Sequence, residues 1–238
     1  DLFGNPVHKW KTEYAPFYAV LKKNGNLVAA LIDPANNLNP GSTGIIQELD
    51  WSGNVLWEYK NKNLKLDFDV LPNGNVAAVI GEEVPANIAK KIKGGFPEAE
   101  SFQGIFSEAI IEINKEGKIV WTWHAYRHLD PDEYMLNSLS LRRSWTHANS
   151  IKYIEKDPIN NEEAFLVSLR NVGRAVLIKK KDGSIIWKSP ESMLSLQHDA
   201  TLLSNGNILV FDNNMFREPS PSDFRVQFGS RVVEINPR

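Results

Sequence analysis

Two hairpin motifs alternate along the chain, and this repetition constrains the fold more than any other feature of the sequence. The first motif places Asn-Gly-Asn between apolar segments, at residues 24–26, 73–75 and 205–207. Asn-Gly between apolar strands is a strong hairpin signal, because both residues accept the positive φ angles of a type I′ turn. The second motif alternates apolar and polar residues and ends in Trp57, Trp121 or Trp187. We expect these tryptophans to fill the gaps between adjacent sheets.

The alternation of the two hairpins predicts units of four antiparallel strands, and such units around an axis form a β-propeller. We therefore predict an all-β fold, a single β-propeller domain over residues 1–238 with about four visible blades. The third unit runs from Trp145 to Trp187 and has a longer loop in place of the Asn-Gly turn. The fourth unit starts at Gln197 and lacks its last strand, which residues 2–10 resemble. Either four blades close the ring or, as we favour, the chain is a fragment of a larger propeller.

Two insertions interrupt the repeats, at residues 86–93 and 130–141. Each is predicted to form a short surface helix, the second starting near Asp130 or Asp132. Both lie between blades, where loops over a functional site are tolerated.

Composition excludes several classes of protein. The 238 residues include 27 basic and 29 acidic ones, so no global charge indicates binding to nucleic acid or to an anionic membrane. No segment approaches the roughly 18 apolar residues of a membrane-spanning helix. There is no cysteine, which excludes disulfides and thiolate metal sites. The first residue is Asp1, and we expect a processed or trimmed N-terminus.

Strand direction predicts that polar side chains from different units meet at one mouth of the ring. The first strand of a unit starts at the mouth where the antiparallel second strand ends. Arg170 ends the second strand of the third unit, and Asn149 lies two residues after His147, on the same face. Alignment on the hairpins puts four residues in one column at the start of the first strand: Phe17, Leu66, His147 and His198.

The residues expected at this mouth suit an oxyanion of the sulfate, phosphate or carboxylate type. Arginine offers a rigid fork of donors. Histidine acts as a nucleophile, or as a general acid and base, near neutral pH. The candidate site contains His147, Asn149, Arg170 and His198.

Each candidate residue also has a purely structural interpretation. A histidine at the start of a strand is often structural, and Asn149 could cap a turn. Arg170 could instead pair with Glu162 or Asp212. A metal site is not predicted, because two histidines with only Asp199 as a repeat-aligned carboxylate make an incomplete ligand set.

Three phrases of the third and fourth units resemble a known family. They are Trp-Thr-His-Ala-Asn-Ser at 145–150, Ser-Leu-Arg-Asn at 168–171 and Gln-His-Asp-Ala at 197–200. Together they resemble the bacterial arylsulfate sulfotransferases, which are six-bladed propellers. The resemblance implies transfer of a sulfuryl group between phenols, without a nucleotide donor or another cofactor.

The resemblance also implies roles for individual residues. His198 matches the family's transiently sulfated histidine, His147 and Asn149 match its sulfate-binding histidine and asparagine, and Arg170 matches its arginine. The family has a further histidine in an earlier blade, and Leu66 stands in that column here. Leucine cannot donate to a sulfuryl oxygen or carry a proton, so the acid–base part of the mechanism departs from the family.

The leading prediction is therefore an enzyme that takes an aryl sulfate and a phenol, located in the periplasm or secreted. It needs no nucleic acid and no membrane span, and it leaves a homo-oligomer open. The alternative is a non-catalytic propeller that binds a partner protein or a small anion. A quinone-cofactor dehydrogenase ranks last, because that class needs calcium ligands and a long chain.

Overall fold

Antiparallel sheets dominate the computed structural model, which describes residues 2–35, 42–96, 104–215 and 229–238, except for the side chain of Leu66. Three sheets have four antiparallel strands each. In the described part of the chain, the fourth unit is a sheet of three strands, as the sequence predicts. The prediction of an all-β, propeller-like fold built from four-stranded antiparallel blades is confirmed.

The strands of each blade follow the order of the two hairpin motifs. The first blade contains β1 (Pro16–Leu21), β2 (Leu27–Ile32), β3 (Gly44–Leu49) and β4 (Val55–Lys60). The second contains β5 (Leu64–Val70) and β6 (Val76–Glu83), then an excursion of helix α1 (Ala86–Ala89) and β7 (Gly94–Phe96), then β8 (Phe106–Ile113) and β9 (Ile119–His124). Helix α2 (Ala125–His128) and β10 (Leu136–Leu141) lead into the third blade. That blade contains β11 (Ala148–Ile154), β12 (Ala164–Leu169), a 3-10 turn (Arg170–Val172), β13 (Arg174–Lys179) and β14 (Ile185–Lys188). The last blade contains β15 (His198–Leu202), β16 (Ile208–Asp212) and β17 (Arg231–Ile235).

Consecutive blades pack together through apolar clusters and through their first strands. Strand β1 contacts β5, β5 contacts β11, and β11 contacts β15. The ring of Trp121 lies 5.1 Å from that of Phe165 in the next blade, and its indole N–H donates to the Lys180 carbonyl at 2.9 Å. Trp57 and Trp187 pack against the clusters on either side. The prediction that these tryptophans fill the gaps between sheets is confirmed.

The Asn-Gly turns differ from the predicted type I′. In these turns the glycine alone has a positive φ, for example 85° at Gly74 and 86° at Gly206. The Gly74 N–H donates to the Leu71 carbonyl at 2.9 Å, so the hairpin has a type I turn followed by a left-handed glycine. Pro72 favours this arrangement, because proline presets the negative φ at the second position of a type I turn.

The last asparagine of the motif ties each hairpin to the third strand of its blade. Its side chain donates to a glutamate in three blades: Asn26 to Glu48 at 2.8 Å, Asn75 to Glu112 at 2.6 Å and Asn207 to Glu234 at 2.7 Å. Hydrogen bonds to a charged acceptor are stronger than those between neutral groups. The repeat therefore preserves a side-chain contact as well as a turn.

We expect Gly206→Val to destabilise the fold by about 1–2 kcal/mol, because a β-branched residue is strained at positive φ. For a chain of this length that corresponds to a drop in Tm of roughly 2–8 °C. Ser204→Val is the matched control, since Ser204 is exposed in the same turn and has no positive φ. Thermal melts of both variants measure the effect, and equal Tm values would contradict the strained glycine.

Two carboxylates of β5 bind the backbone of β11. Asp67 Oδ2 accepts the Ile151 N–H at 2.9 Å, and Asp69 Oδ2 accepts the Tyr153 N–H at 2.7 Å. These bonds join the second and third blades by satisfying N–H groups along one edge of β11. Burial raises the pKa of Asp67 to about 6, although the positive charge of Lys152 opposes the shift.

We expect Asp67→Asn to flatten the pH dependence of stability. The Asp67 carboxyl has a pKa of about 6 in the folded chain against an ordinary value of 3.8, so folding takes up a proton between these values. Its contribution to stability is therefore complete below the lower value and is lost as the pH rises through the upper one. Asparagine keeps an acceptor for the Ile151 N–H and never ionises.

Urea denaturation at acid and at mildly alkaline pH measures this effect as a difference in the free energy of unfolding. Asp182→Asn is the control, because Asp182 is exposed and its hydrogen bonds with Ser184 lower its pKa. That variant should keep the loss of stability toward high pH. The interpretation fails if Asp67→Asn and the parent have the same pH profile.

Three local predictions need correction. Residues 130–141 do not form a helix: they end in β10, which pairs in parallel with β7, and their asparagine and serines favour turns and extended backbone over helix. Residues 86–93 form a helix over only four residues, α1, and this insertion lies within the second blade, between β6 and β8, rather than between blades. Residues 2–10 add no strand to the last blade in the described chain, since the Trp10 indole packs on Trp51 and donates to the Asp50 carbonyl at 2.9 Å. No helix in the described ranges has the length and apolarity to cross a lipid bilayer.

Candidate functional site

A cavity of about 340 Å³ opens where the second blade meets the start of the third. Three cationic side chains line it, Lys65, Arg143 and Arg170, against the single carboxylate of Glu108 among its described lining residues. Lys65 and Arg170 bring positive charge to this cavity, which favours an anion. The other described residues that line it are Ser42, Asn63, Gly81, Phe106, Leu139, Ser140, Leu141, Ser144, His147, Asn171 and Leu196.

A buried carboxylate holds the segment that carries His147. Glu108 Oε2 accepts hydrogen bonds from the Thr146 hydroxyl at 2.5 Å and from the Ala148 N–H at 3.0 Å. Trp145, which is fully buried, anchors the chain on the other side. Burial raises the pKa of Glu108, and the bonds from Thr146 and Ala148 oppose that shift. The segment is therefore fixed from both ends before it enters β11.

His147 lies at the cavity wall in an uncommon backbone conformation, with a φ of 48°. Its carbonyl accepts the Arg170 N–H at 3.3 Å, and the Ser144 hydroxyl lies 3.4 Å from its Nδ1. Burial, together with the charges of Arg170 and Lys65, lowers the pKa of His147 to about 4. The imidazole is neutral at physiological pH, so it offers one donor and one acceptor.

Arg170 reaches the cavity from the 3-10 turn after β12. That turn ends at Gly173, which has a φ of 62°. The Arg170 Nη1 donates to Asn171 Oδ1 at 2.8 Å, and burial lowers the pKa of the guanidinium. The two acids considered as alternative partners pair elsewhere, Glu162 with Lys179 and Asp212 with Arg231. Within the described ranges Arg170 forms no ion pair, so its charge is available to a ligand.

His198 is the first residue of β15 and lies beside the cavity. It is not among the described residues that line the cavity, whereas Leu196 is. Burial and the charge of Arg170 lower the pKa of His198, whereas its hydrogen bonds to Asn213 and to the Leu196 carbonyl raise it by less. The ring is therefore neutral at neutral pH, and its bond to a backbone carbonyl orients it.

Asn149 contacts the next blade instead of the cavity. Its Nδ2 donates to the Gln197 carbonyl at 2.8 Å, immediately before His198. Its Oδ1 is buried and has no hydrogen-bond partner in the described structure. The structure thus brings His147 and Arg170 to the cavity wall, places His198 beside them, and uses the Asn149 amide to hold the strand that carries His198.

Contacts between blades identify which residues are structurally equivalent. Asp67 accepts the Ile151 N–H of the next blade, and the Ser150 hydroxyl accepts the Ala200 N–H in the same way. These contacts match Asp67 with Ser150 as acceptors, and Ile151 with Ala200 as donors. Leu66, Asn149 and His198 therefore occupy equivalent positions in three successive blades.

The sequence predicts that His147 is equivalent to His198, but in the structure the equivalent residue is Asn149, two positions later. His147 corresponds instead to Leu196, and both have a left-handed backbone, with φ of 48° and 53°. The third unit lacks the Asn-Gly turn that anchors the alignment in the other units, which explains the offset.

Among the described residues, the two histidines do not belong to a group that could hold a metal ion. His198 is held by Asn213 and Leu196, and the His147 Nδ1 faces the Ser144 hydroxyl. In the ranges that the structure describes, no three His, Asp or Glu side chains are arranged to hold a metal ion.

Comparison with known families agrees with this geometry. The model of the arylsulfotransferase (ASST) family matches residues 42–193. The chain belongs to the arylsulfotransferase family. The match includes the first two strands of the third blade and the 3-10 turn, hence His147, Asn149 and Arg170, and it ends before His198.

Two solved structures resemble this arylsulfotransferase-family chain. A protein of unknown function from Bacteroides caccae has 12% sequence identity and a TM-score of 0.47, over 86% of this chain and 55% of that one. A protein of unknown function from Dyadobacter fermentans has 12% identity and a TM-score of 0.35, over 97% of this chain and 82% of that one. This chain therefore spans about half the length of the first protein. No curated protein matched the sequence.

Lys65 is a cavity residue that the sequence does not predict, as are Glu108 and Arg143. Its side chain lies across Gly81, where an added Cβ would be 2.6 Å from the Lys65 Cε. It shares the cavity with Arg170, and its charge contributes to the lowered pKa of His147. Lys65 directly precedes Leu66, which stands where the family has a histidine. The segment that lacks this histidine therefore still contributes a cation to the cavity.

We expect Lys65→Met to weaken anion binding by about 10- to 100-fold, because a hydrogen bond to a charged group contributes about 1.5–3 kcal/mol. Titration with inorganic sulfate, followed calorimetrically, measures the effect. Lys90→Met is the control, since Lys90 is exposed and outside the cavity. Equal affinities of the parent and Lys65→Met would exclude Lys65 from the anion site.

Proposed function

We propose that the chain is a nucleotide-independent arylsulfate sulfotransferase that moves a sulfuryl group from an aryl sulfate to a phenol through His198. The observation that carries this proposal is a cavity lined by Lys65, Arg170 and a neutral His147, next to a neutral His198. On the basis of the family, we place the protein in the periplasm or outside the cell.

The reaction divides into two displacements at sulfur. In the first, the free lone pair of the His198 imidazole attacks sulfur, an N–S bond forms, and the S–O bond to the ring breaks. The phenolate leaves with the bonding electrons and takes a proton from solvent. In the second, the oxygen of an acceptor phenol attacks sulfur, the N–S bond breaks, and the phenol proton passes to solvent.

The cavity residues stabilise the charge that this chemistry carries. Arg170 and Lys65 donate to the sulfuryl oxygens, as preorganised donors that need no rearrangement during the reaction. His147, with its pKa of about 4, stays neutral and adds one hydrogen-bond donor to a sulfuryl oxygen. Asn149 fixes the backbone before His198 and so positions the nucleophile.

The test is acceptor-dependent transfer. The chain is incubated with para-nitrophenyl sulfate in the presence and absence of a phenol, and both nitrophenol and the sulfated acceptor are quantified. We expect nitrophenol release that rises with the phenol and equals the sulfated acceptor formed. Absence of both products would contradict the proposal.

A second function, binding of a small anion without catalysis, is favoured by two observations. His198 lies outside the described cavity lining, and Leu66 occupies the column of Asn149 and His198. A protein that binds inorganic sulfate but releases no nitrophenol would support this alternative.

A further inference from the structure

Glu108 carries the only carboxyl group among the described residues that line the cationic cavity. The residue is 5% exposed, and burial raises the pKa of its carboxyl above the ordinary value. A carboxyl group with a raised pKa holds and releases a proton closer to neutral pH than an exposed one does. The two displacements at sulfur described above exchange both protons with solvent, so this buried carboxyl has no chemical role in them.

The cavity wall beside Glu108 brings a cation next to the carboxyl group. Glu108 lies opposite Gly81 in the pairing of β8 with β6, and residues opposite each other in antiparallel strands share a face. Gly81 has no positive φ, so the glycine serves the close approach of another group. That group is the side chain of Lys65, which occupies the space of a Cβ at Gly81. The charge of Lys65 lowers the pKa of Glu108, against the larger effect of burial.

The other ionisable groups at the cavity are suited to other tasks. His147, with a pKa of about 4, is neutral at physiological pH and has no second proton to give. The guanidinium of Arg170 keeps its charge although burial lowers its pKa, because arginine does not lose its proton in proteins. Lys65 and Arg170 face the sulfuryl oxygens in the proposed function. Glu108 therefore remains as the group that can exchange a proton with a phenol oxygen.

We propose that Glu108, in place of solvent, is the catalytic acid and base that protonates the departing phenol and deprotonates the acceptor phenol. This rests on the proposed function, whose two proton transfers it assigns. In the first displacement the S–O bond to the ring breaks, and the carboxylic acid gives its proton to the leaving oxygen and becomes a carboxylate. In the second, the carboxylate takes the proton of the acceptor phenol while its oxygen attacks sulfur and the N–S bond breaks. Each cycle returns Glu108 to its protonated form.

Glu108 also holds the segment around His147, so the test must separate this structural role from proton transfer. Its Oε2 accepts hydrogen bonds from the Thr146 hydroxyl and the Ala148 N–H. Glutamine at this position keeps an acceptor for both donors but has no acidic proton. A misplaced segment slows all aryl sulfates alike, whereas loss of a general acid slows those with the most basic leaving oxygen.

The test measures single-turnover release of the phenol from two substrates. Phenyl sulfate has a basic leaving oxygen, whereas the nitro group of para-nitrophenyl sulfate stabilises the phenolate that leaves. We expect Glu108→Gln to lose about 10²- to 10⁴-fold on phenyl sulfate, the usual contribution of a general acid, and much less on para-nitrophenyl sulfate. In the parent, release from phenyl sulfate should also be slower in deuterium oxide than in water, because a proton moves as the bond breaks.

Two further variants serve as controls. Thr146→Val removes one donor to the Glu108 carboxyl without removing the carboxyl itself, so it should slow both substrates by the same factor. Glu112→Gln makes the same substitution on the same strand, at a residue that is 3% exposed, lies outside the described cavity lining and binds Asn75 and Lys180. This variant should keep the parent's ratio of the two rates.

The outcomes separate this inference from the proposed function. The role of Glu108 is overturned if Glu108→Gln keeps the parent's ratio of the two rates. It is also overturned if the parent releases phenol equally fast in both solvents, a result that does not depend on the folding of any variant. Either result leaves the sulfotransferase proposal standing, because the parent still transfers. A parent that transfers no sulfuryl group overturns both.

Discussion

His198→Ala is expected to lose turnover of an aryl sulfate completely, whereas Asn149→Ala keeps a measurable remnant. A covalent nucleophile has no substitute in the two-step route, because without the N–S bond there is no intermediate for the acceptor to attack. Asn149 acts on the strand before His198 through the Gln197 carbonyl, so its loss misplaces the nucleophile without removing it. Steady-state release of nitrophenol from the parent and both variants measures the difference.

His128→Ala is the control for loss of a histidine outside the site. His128 is exposed and stacks on Trp123, with ring centroids 5.2 Å apart. We expect this variant to keep the activity of the parent. If His198→Ala is as active as the parent, the assignment of the nucleophile is wrong.

Arg170→Met is expected to lower kcat/KM by about 10²- to 10³-fold, the usual cost of removing one donor to a developing oxyanion. Arg170→Lys should recover part of the loss, because lysine restores the charge but not the forked geometry. Arg127→Met is the control, since Arg127 is exposed and outside the cavity.

The pH profile separates a ligand-binding role of Arg170 from a merely structural one. The positive charge of Arg170 helps to lower the pKa values of His147 and His198. Removing it raises both pKa values, so the acid limb of the activity profile should move to higher pH in Arg170→Met and much less in Arg170→Lys. An unchanged acid limb with reduced activity would contradict direct electrostatic contact.

The blades could be predicted from the sequence because their signals are local. An Asn-Gly pair, or a tryptophan after a strand of alternating residues, identifies a hairpin within a segment of about a dozen residues. The pairing of β7 with β10 joins Gly94 to Leu136, and nothing in either segment alone indicates a partner so far along the chain. The turn type was missed because the Asn-Gly signal was given more weight than Pro72 before it.

The candidate site could be predicted only in part. His147 directly precedes β11 and Arg170 directly follows β12. Because these strands are antiparallel, both residues lie at the same end of the pair, and the repeats define that direction. The orientation of Asn149 depends on the Gln197 carbonyl of another blade, which a repeat alignment does not include. Lys65 cannot be found from the repeats, because it stands one residue before Leu66, the position that the repeats align with His198.

Intact mass after incubation with an aryl sulfate and no acceptor tests the central claim most directly. We predict that the parent gains the mass of one sulfuryl group, that His198→Ala gains none, and that adding a phenol removes the adduct while the sulfated phenol appears. A parent that releases phenol without ever carrying the adduct, or an adduct that persists in His198→Ala, would contradict transfer through His198.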